Sequence, residues 1–228
     1  MAHFKWDGNP YDPQWDFGAK QRMNNELFRA VAAAHSVQPI DVFFSYLSGR
    51  TVFPGIVRAI GMMGIPTLNI SLGDKTKFYN TLEPTGFSGT ADIANAFTLC
   101  WTSTEDAVKL FESVAAHAIY LPEGANPEIY RPLDVPFDID ISFLGQCYGQ
   151  RPKVIECLKN KGIHVHTFGH GWPSGEIQVE DMVRVYNRSR INLGFAAVSD
   201  SKDICCLKGR DFEAPMSGAV PNTIPSGT

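Results

Sequence analysis

The sequence predicts an α/β protein built from two parallel sheets, and three observations carry that expectation. Short β-type runs alternate with helix-patterned runs along most of the chain, the order that produces right-handed βαβ units. The alternation breaks once, at Pro122 to Pro136, where Pro122, Gly124, Pro127, Pro132 and Pro136 exclude both helix and central strand. Beyond the break a second alternating series begins. With 228 residues the chain is long enough for one large or two small cores. The expected division is therefore an N-terminal domain over 1–122, a Pro-rich hinge over 123–136 and a C-terminal domain over 137–228, with a cleft between the two sheets.

Each element has its own signal. The aromatic, Gly/Pro-rich opening predicts irregular structure, and Lys20 to Ala34 is rich in helix formers. Asp41 to Tyr46 is a short β-type run. Val52 to Met63 has helical apolar spacing and stops at Gly64. Strands are expected at Pro66 to Ser71, Phe97 to Trp101 and Ala118 to Leu121, and Thr102-Ser-Thr-Glu105 reads as a capping box opening a helix through Ala116. In the second half, strands are expected at Ile139 to Leu144, Ile163 to Phe168 and Ile191 to Phe195. Helices are expected at Pro152 to Asn160, Val179 to Asn187 and Asp211 to Ser217, the first followed by Gly162 and the last stopped by Gly218.

Composition narrows the function classes. Hydrophobic residues make up 44% and charged residues 19%, ordinary proportions for a globular chain, and the net charge of −4 argues against non-specific binding to nucleic acid or an anionic membrane. No apolar run approaches the roughly 20 residues of a bilayer span, and Met-Ala-His-Phe-Lys-Trp-Asp lacks a signal-peptide core. Five cysteines, an odd number without Cys-x-x-Cys spacing, favour reduced thiols over a disulfide framework. A cytoplasmic location follows as the expectation.

Several constellations could carry chemistry. Asp140-Ile-Ser-Phe-Leu-Gly-Gln-Cys-Tyr-Gly149 reads as a strand entering a glycine-rich turn, with Arg151 at the start of the next helix. In open α/β sheets, ligands sit beyond the carboxyl ends of strands, and a helix N-terminus favours anions. Gly145, Tyr148, Gly149 and Arg151 are thus candidate binders, against the plainer reading of a tight βα loop. In Phe168-Gly-His-Gly-Trp172 the flanking glycines expose His170, a candidate binder or a simple loop residue, and Trp172 offers a face for stacking. Lys208-Gly-Arg-Asp-Phe-Glu-Ala-Pro-Met-Ser-Gly218 places two cations ahead of Glu213. Lys208 and Arg210 suit a departing diphosphate, and Glu213 suits ribose hydroxyls. Acids at a helix start for dipole reasons, with solvated cations, explain the same pattern. Ser45-Tyr-Leu-Ser-Gly-Arg50 and Leu72-Gly-Asp-Lys75 end strands of the first half, and Asp74 reads as a general base for an acceptor hydroxyl or as a turn or N-cap aspartate.

Taken together, Asp-Ile-Ser-Phe-Leu-Gly-Gln-Cys-Tyr-Gly-Gln-Arg, Phe-Gly-His-Gly-Trp, Ser-Arg-Ile-Asn-Leu-Gly-Phe and Lys-Gly-Arg-Asp-Phe-Glu-Ala-Pro-Met-Ser-Gly resemble the CgeB-like (spore-protein type) glycosyltransferases. Leu121-Pro-Glu-Gly-Ala-Asn-Pro-Glu-Ile-Tyr-Arg-Pro132 looks like the interdomain connection of the wider GT-B group, which has two Rossmann-like domains facing across a cleft. The resemblance runs from about Asp41 onward. It implies transfer of a hexose-like sugar from a nucleotide-diphosphate donor to a small-molecule, glycan or protein acceptor. Glu213 would hold the ribose, Lys208 and Arg210 would face the diphosphate, and Gly145 would border the donor cleft. No permanently bound cofactor or metal is implied, and the nucleotide sugar is a substrate. Such a second domain normally continues past the Glu-bearing helix, whereas Pro221, Pro225 and Gly227 read as coil. The C-terminal domain is therefore expected to be incomplete, with a sheet short of an edge. A remnant that binds a nucleotide or glycan without turnover is the alternative, and an exported two-lobed sensor is a third reading.

Overall fold

A computed structural model of the chain describes residues 3–83, 86–196, 204–219 and 221–224, the last four as backbone alone. The chain divides into two compact units, Met1–Pro122 and Glu123–Thr228. Each contains a four-stranded parallel sheet, so the alternating sequence pattern is an α/β fold.

The first unit opens on helix α1, Phe17–Val37, whose start is set by Asp16: its carboxylate accepts from the Ala19 amide at 2.7 Å. Met23, Leu27 and Val31 recur every fourth residue and are buried. Strand β1 (Phe43–Ser45), helix α2 (Pro54–Met62), strand β2 (Thr67–Ser71) and the single-turn helix α3 (Asp74–Lys77) follow. A small hairpin of β3 (Leu82–Glu83) and β4 (Gly86–Phe87) precedes helix α4 (Ala91–Ala94), strand β5 (Leu99–Thr102), helix α5 (Val108–Ser113) and strand β6 (Ala118–Tyr120). The sheet runs β1-β2-β5-β6. Val52, Val57, Ile60, Ile65, Phe78, Ile93 and Phe111 form the core.

The capping box expected at Thr102–Glu105 is corrected by the structure. A 3₁₀ turn at Glu105–Ala107 leads into α5, and Thr104 stands at its N-cap without a side-chain cap bond. Thr102 is instead the buried last residue of β5, and its hydroxyl donates to Asp74 Oδ2 at 2.7 Å. Membership in a packed strand outweighed the local cap.

In the second unit, β7 (Ile139–Leu144), helix α6 (Arg151–Asn160), β8 (His166–Phe168), helix α7 (Val179–Arg188), β9 (Ser189–Phe195), helix α8 (Arg210–Met216) and β10 (Pro221–Ile224) give the strand order β10-β9-β7-β8. Neighbouring residues of β7 point to opposite faces. Phe143 packs with Val165, Leu193, Phe195 and the α6 residues Val154 and Leu158, whereas Leu144 packs with Val185, Tyr186 and Ala214. The segment between Pro122 and Pro136 contains neither helix nor strand. The coil expected at Pro221 is corrected: residues 221–224 pair in parallel with β9 and supply an outer strand. Proline at the first position of an edge strand leaves no ladder bond unmade. Pro225 and Gly227 lie outside the described residues.

One polar device recurs in the two sheets. Ser45 and Asn69 are register partners of β1 and β2, and the serine hydroxyl donates to Asn69 Oδ1 at 2.8 Å. Ser142 and Asn192 are register partners of β7 and β9, with the same bond at 2.8 Å. Asn69 also accepts from Leu47 N and donates to Leu47 O, while Asn192 donates to Tyr186 O. A buried amide is favourable only when its bonds are made, so each asparagine fixes one strand register and one neighbouring segment. Asn192→Ala should therefore cost about 2–4 kcal/mol through lost bonds and a small cavity. Urea unfolding should show a lower midpoint at unchanged slope; an unaltered midpoint would show that the Ser142–Asn192 pair does not hold the sheet.

Candidate functional site

The site is built at the carboxyl ends of β7 and β8. Gly145 N donates to Phe168 O and Cys147 N to His170 O, both at 2.8 Å, so the turns after the two strands are stitched together. Close approach demands glycine at position 169: φ is +127°, and a Cβ would lie 2.5 Å from Gly145 O. Trp172 completes the seam by donating its indole N–H to Gly145 O at 2.8 Å, with its ring edge-on to Phe143 at 6.0 Å. Trp172, expected to offer a flat face for stacking, is half-buried and has its N–H bonded into this turn.

Helix α8 brings the charged groups. Arg210 Nε donates to Leu144 O at 2.9 Å, and its guanidinium carbon lies 5.1 Å from the centre of the Phe143 ring. Nη2 rests where a Cβ on Gly145 would be, so the missing side chain at 145 is what admits the arginine. Nη1 is buried and has no hydrogen-bond partner among the described residues. Three residues on, Glu213 lies on the neighbouring turn. Its Oε1 accepts from the Tyr130 hydroxyl at 3.2 Å and its Oε2 from the Tyr186 hydroxyl at 3.0 Å. Burial, reinforced by the Glu213 carboxylate, pushes the Tyr130 phenol up to about 12 and Tyr186 upward as well. Both phenols therefore stay protonated at neutral pH and act as donors. A carboxylate has about four acceptor positions, so Glu213 retains capacity for further donors.

Arg210 and Glu213 line a pocket of about 360 Å³ together with Gly145, Gln146, His170, Met182 and Tyr186. His170 stands at its rim, 77% exposed, with Nδ1 3.5 Å from Glu176 Oε1. The structure thus gathers Gly145, His170, Arg210 and Glu213 into one pocket.

Other expected site residues are placed elsewhere. The Lys208 ammonium contacts Cys206 Sγ at 2.7 Å, and it is absent from the pocket wall. Its charge instead faces Glu123, whose carboxyl burial pushes upward while Lys208 pulls it down. Tyr148, Gly149 and Arg151 form the turn behind the pocket: Gly149 has φ +62°, and Arg151 is buried against the Tyr148 ring. Asp74, in the first unit, is 1% exposed and accepts from Ser71 Oγ at 2.6 Å, Thr102 Oγ1 at 2.7 Å and Thr90 Oγ1 at 3.4 Å. It is also the first residue of the single-turn helix α3, Gly73 occupying the N-cap, so the turn aspartate and not the N-cap describes its placement. Enclosure among three hydroxyls leaves the carboxylate buried.

Tyr186, which lines the pocket, and Tyr130, which reaches the pocket residue Glu213 without lining the cavity, were both missed by sequence reasoning. Tyr186 follows Met182 by one helical turn, and both face the pocket, a spacing that marks a shared face but not its role. Tyr130, inside the Pro-rich segment, carries no periodic signal at all.

Residues 151–223 match the model of a family described as glycosyl transferase-like. That stretch runs from the start of α6 into β10 and contains Arg151, His170, Lys208, Arg210 and Glu213. No curated protein matches the chain. The second unit is therefore a Rossmann-like α/β framework carrying a glycosyl-transferase-like segment, and glycosyl transfer is the general activity this similarity supports.

Asp74 gives a pH test. Burial raises its pKa above the ordinary 3.8, although the three hydroxyls oppose the shift. Folding then favours the protonated acid, so this contribution to stability is full below about 3.8 and is lost as pH rises through the raised value. Asp74→Asn removes that dependence. Urea titrations between pH 4 and 7 should show the variant gaining relative to the native chain as pH increases. A relative loss would mean the carboxylate is held in its charged form.

Proposed function

We propose that the chain is a GT-B-type glycosyltransferase of the CgeB-like kind, moving a hexose-like sugar from a nucleotide-diphosphate donor to an acceptor hydroxyl. In this reading residues 137–228 form the donor-binding domain, 1–122 the acceptor-side domain and 123–136 the hinge. One observation carries it: Arg210, with an unpartnered buried N–H, and Glu213, with spare acceptor positions, stand one helical turn apart on a pocket at the carboxyl ends of parallel strands. A guanidinium suits a diphosphate, and a carboxylate suits the vicinal hydroxyls of a ribose.

The acceptor oxygen attacks the anomeric carbon as the bond from that carbon to the diphosphate oxygen breaks. The electron pair leaves with the nucleoside diphosphate, and the acceptor proton passes to solvent or a base. Arg210 stabilises the charge that develops on the leaving group. The leaving group is met by side-chain cations rather than by a resident metal. Cys100, Cys147, Cys157 and Cys206 are free thiols, which suits a cytoplasmic setting, and among the described residues no helix is long and apolar enough to cross a membrane.

A panel of nucleoside diphosphates and nucleotide sugars tests the reading. At least one should raise the unfolding temperature of the native chain by mass action. Glu213→Ala should weaken binding by about 10- to 100-fold, the range for a charge-assisted bond. Sugar release or transfer should accompany binding of the cognate donor. An equal shift in the native chain and the variant removes Glu213 from the site; stabilisation by no nucleotide ends the donor assignment.

A further inference from the structure

Behind the pocket, two guanidinium groups share one aromatic ring. The Arg151 carbon lies 5.5 Å and the Arg210 carbon 5.1 Å from the centre of Phe143. Among the described residues no ion pair joins either arginine to a carboxylate. Arg151 is 5% exposed, and its hydrogen bonds go to neutral groups, Gln146 O at 2.9 Å and the Tyr148 hydroxyl at 3.1 Å. Arg210 bonds to a carbonyl and keeps Nη1 unpaired. Two buried or half-buried cations without a counter-ion are costly, since each loses hydration and repels the other. The repulsion is felt at Arg151, whose pKa is lowered by burial and then by Arg210.

We infer that Arg151 is a positioning residue for an anion subsite centred on Arg210, and that this subsite takes a ligand of charge beyond −1, a diphosphate rather than a single phosphate. The inference rests on the donor reading above and assigns the work within it. Arg210 meets the anion at the pocket wall. Arg151 acts from behind in two ways. Its bonds to Gln146 O and Tyr148 hold the turn whose Gln146 borders the pocket. Its charge adds to the local positive potential, which an arriving polyanion neutralises and a neutral nucleoside does not. The sequence expectation of Arg151 as a direct ligand is thereby replaced, because its guanidinium is already engaged with the turn.

Calorimetric titration of the full chain separates the possibilities, using uridine, guanosine and adenosine, their diphosphates, inorganic pyrophosphate and orthophosphate. The native chain should bind pyrophosphate at least about tenfold more tightly than orthophosphate, with affinity falling steeply as salt rises. Arg151→Gln should weaken the diphosphates and pyrophosphate by about tenfold or more and flatten the salt dependence, leaving nucleoside affinity within twofold. Arg151→Lys, which keeps the charge and loses the two-point hold on the turn, should recover part of the loss and most of the salt dependence. Equal pyrophosphate and orthophosphate affinities in the native chain would overturn the inference without need of any variant. So would an Arg151→Lys or Arg151→Gln protein that binds diphosphates like the native chain, or one that loses nucleoside and diphosphate affinity in equal measure. In those outcomes nucleotide binding itself survives, whereas a native chain that binds no probe at all defeats the donor reading and this inference with it.

Discussion

The hydrogen bond from Arg210 Nε to Leu144 O is the contact on which the second unit's site depends. It ties the first turn of α8 to the last residue of β7, across 66 residues of sequence. The bond forms because position 145 has no side chain; the guanidinium occupies the space a Cβ would need. Once Arg210 is fixed there, Glu213 is carried by helix geometry to the neighbouring turn, where two tyrosines meet it. The turns after β7 and β8 are stitched below by backbone bonds and by Trp172. A glycine, a helix start and an indole thus jointly decide where charge is presented.

The arrangement also explains why a site of this kind tolerates local frustration. Among the described residues, Arg210 Nη1 lacks a partner and buried Arg151 meets no carboxylate, and Glu123 approaches Glu213 around Gly209. Each feature disfavours the unliganded state on its own terms. The compensating order lies in the sheet beneath, where Phe143 contacts Val165, Leu193 and Phe195 on one face and Leu144 packs with Tyr186 and Ala214 on the other.

Much of the framework was legible in the residues, and the reasons are physical. Met23, Leu27 and Val31 repeat at the period of a helix, while Gly64, Gly162 and Gly218 stop helices in the left-handed conformation that only glycine adopts cheaply. Arg210 and Glu213 were visible as a charge pattern, and Gly145 as an open turn. What escaped was contact between segments distant in sequence. Nothing in Glu-Ile-Tyr130-Arg announces a donor to a carboxylate 83 positions away. Asp74 looked available in a Gly-Asp turn, yet its three hydroxyl partners come from Ser71, Thr90 and Thr102, and only folding encloses it. Thr102 misled for a related reason, because capping patterns are local and strand membership is not. Pro221 suggested coil, but an edge position accommodates it.

Tyr130 alters how the Pro-rich stretch that opens the second unit is understood. It contains no helix or strand, and such a stretch is ordinarily treated as an interchangeable spacer whose length alone matters. Here its single phenol is hydrogen-bonded to the carboxylate of Glu213, and its first residue, Glu123, sits beside Gly209. Exchange of this stretch for an unrelated sequence of equal reach would therefore strip Glu213 of one of its two phenolic donors, so a chimera that replaces residues 123–136 inherits an altered carboxylate along with the new sequence.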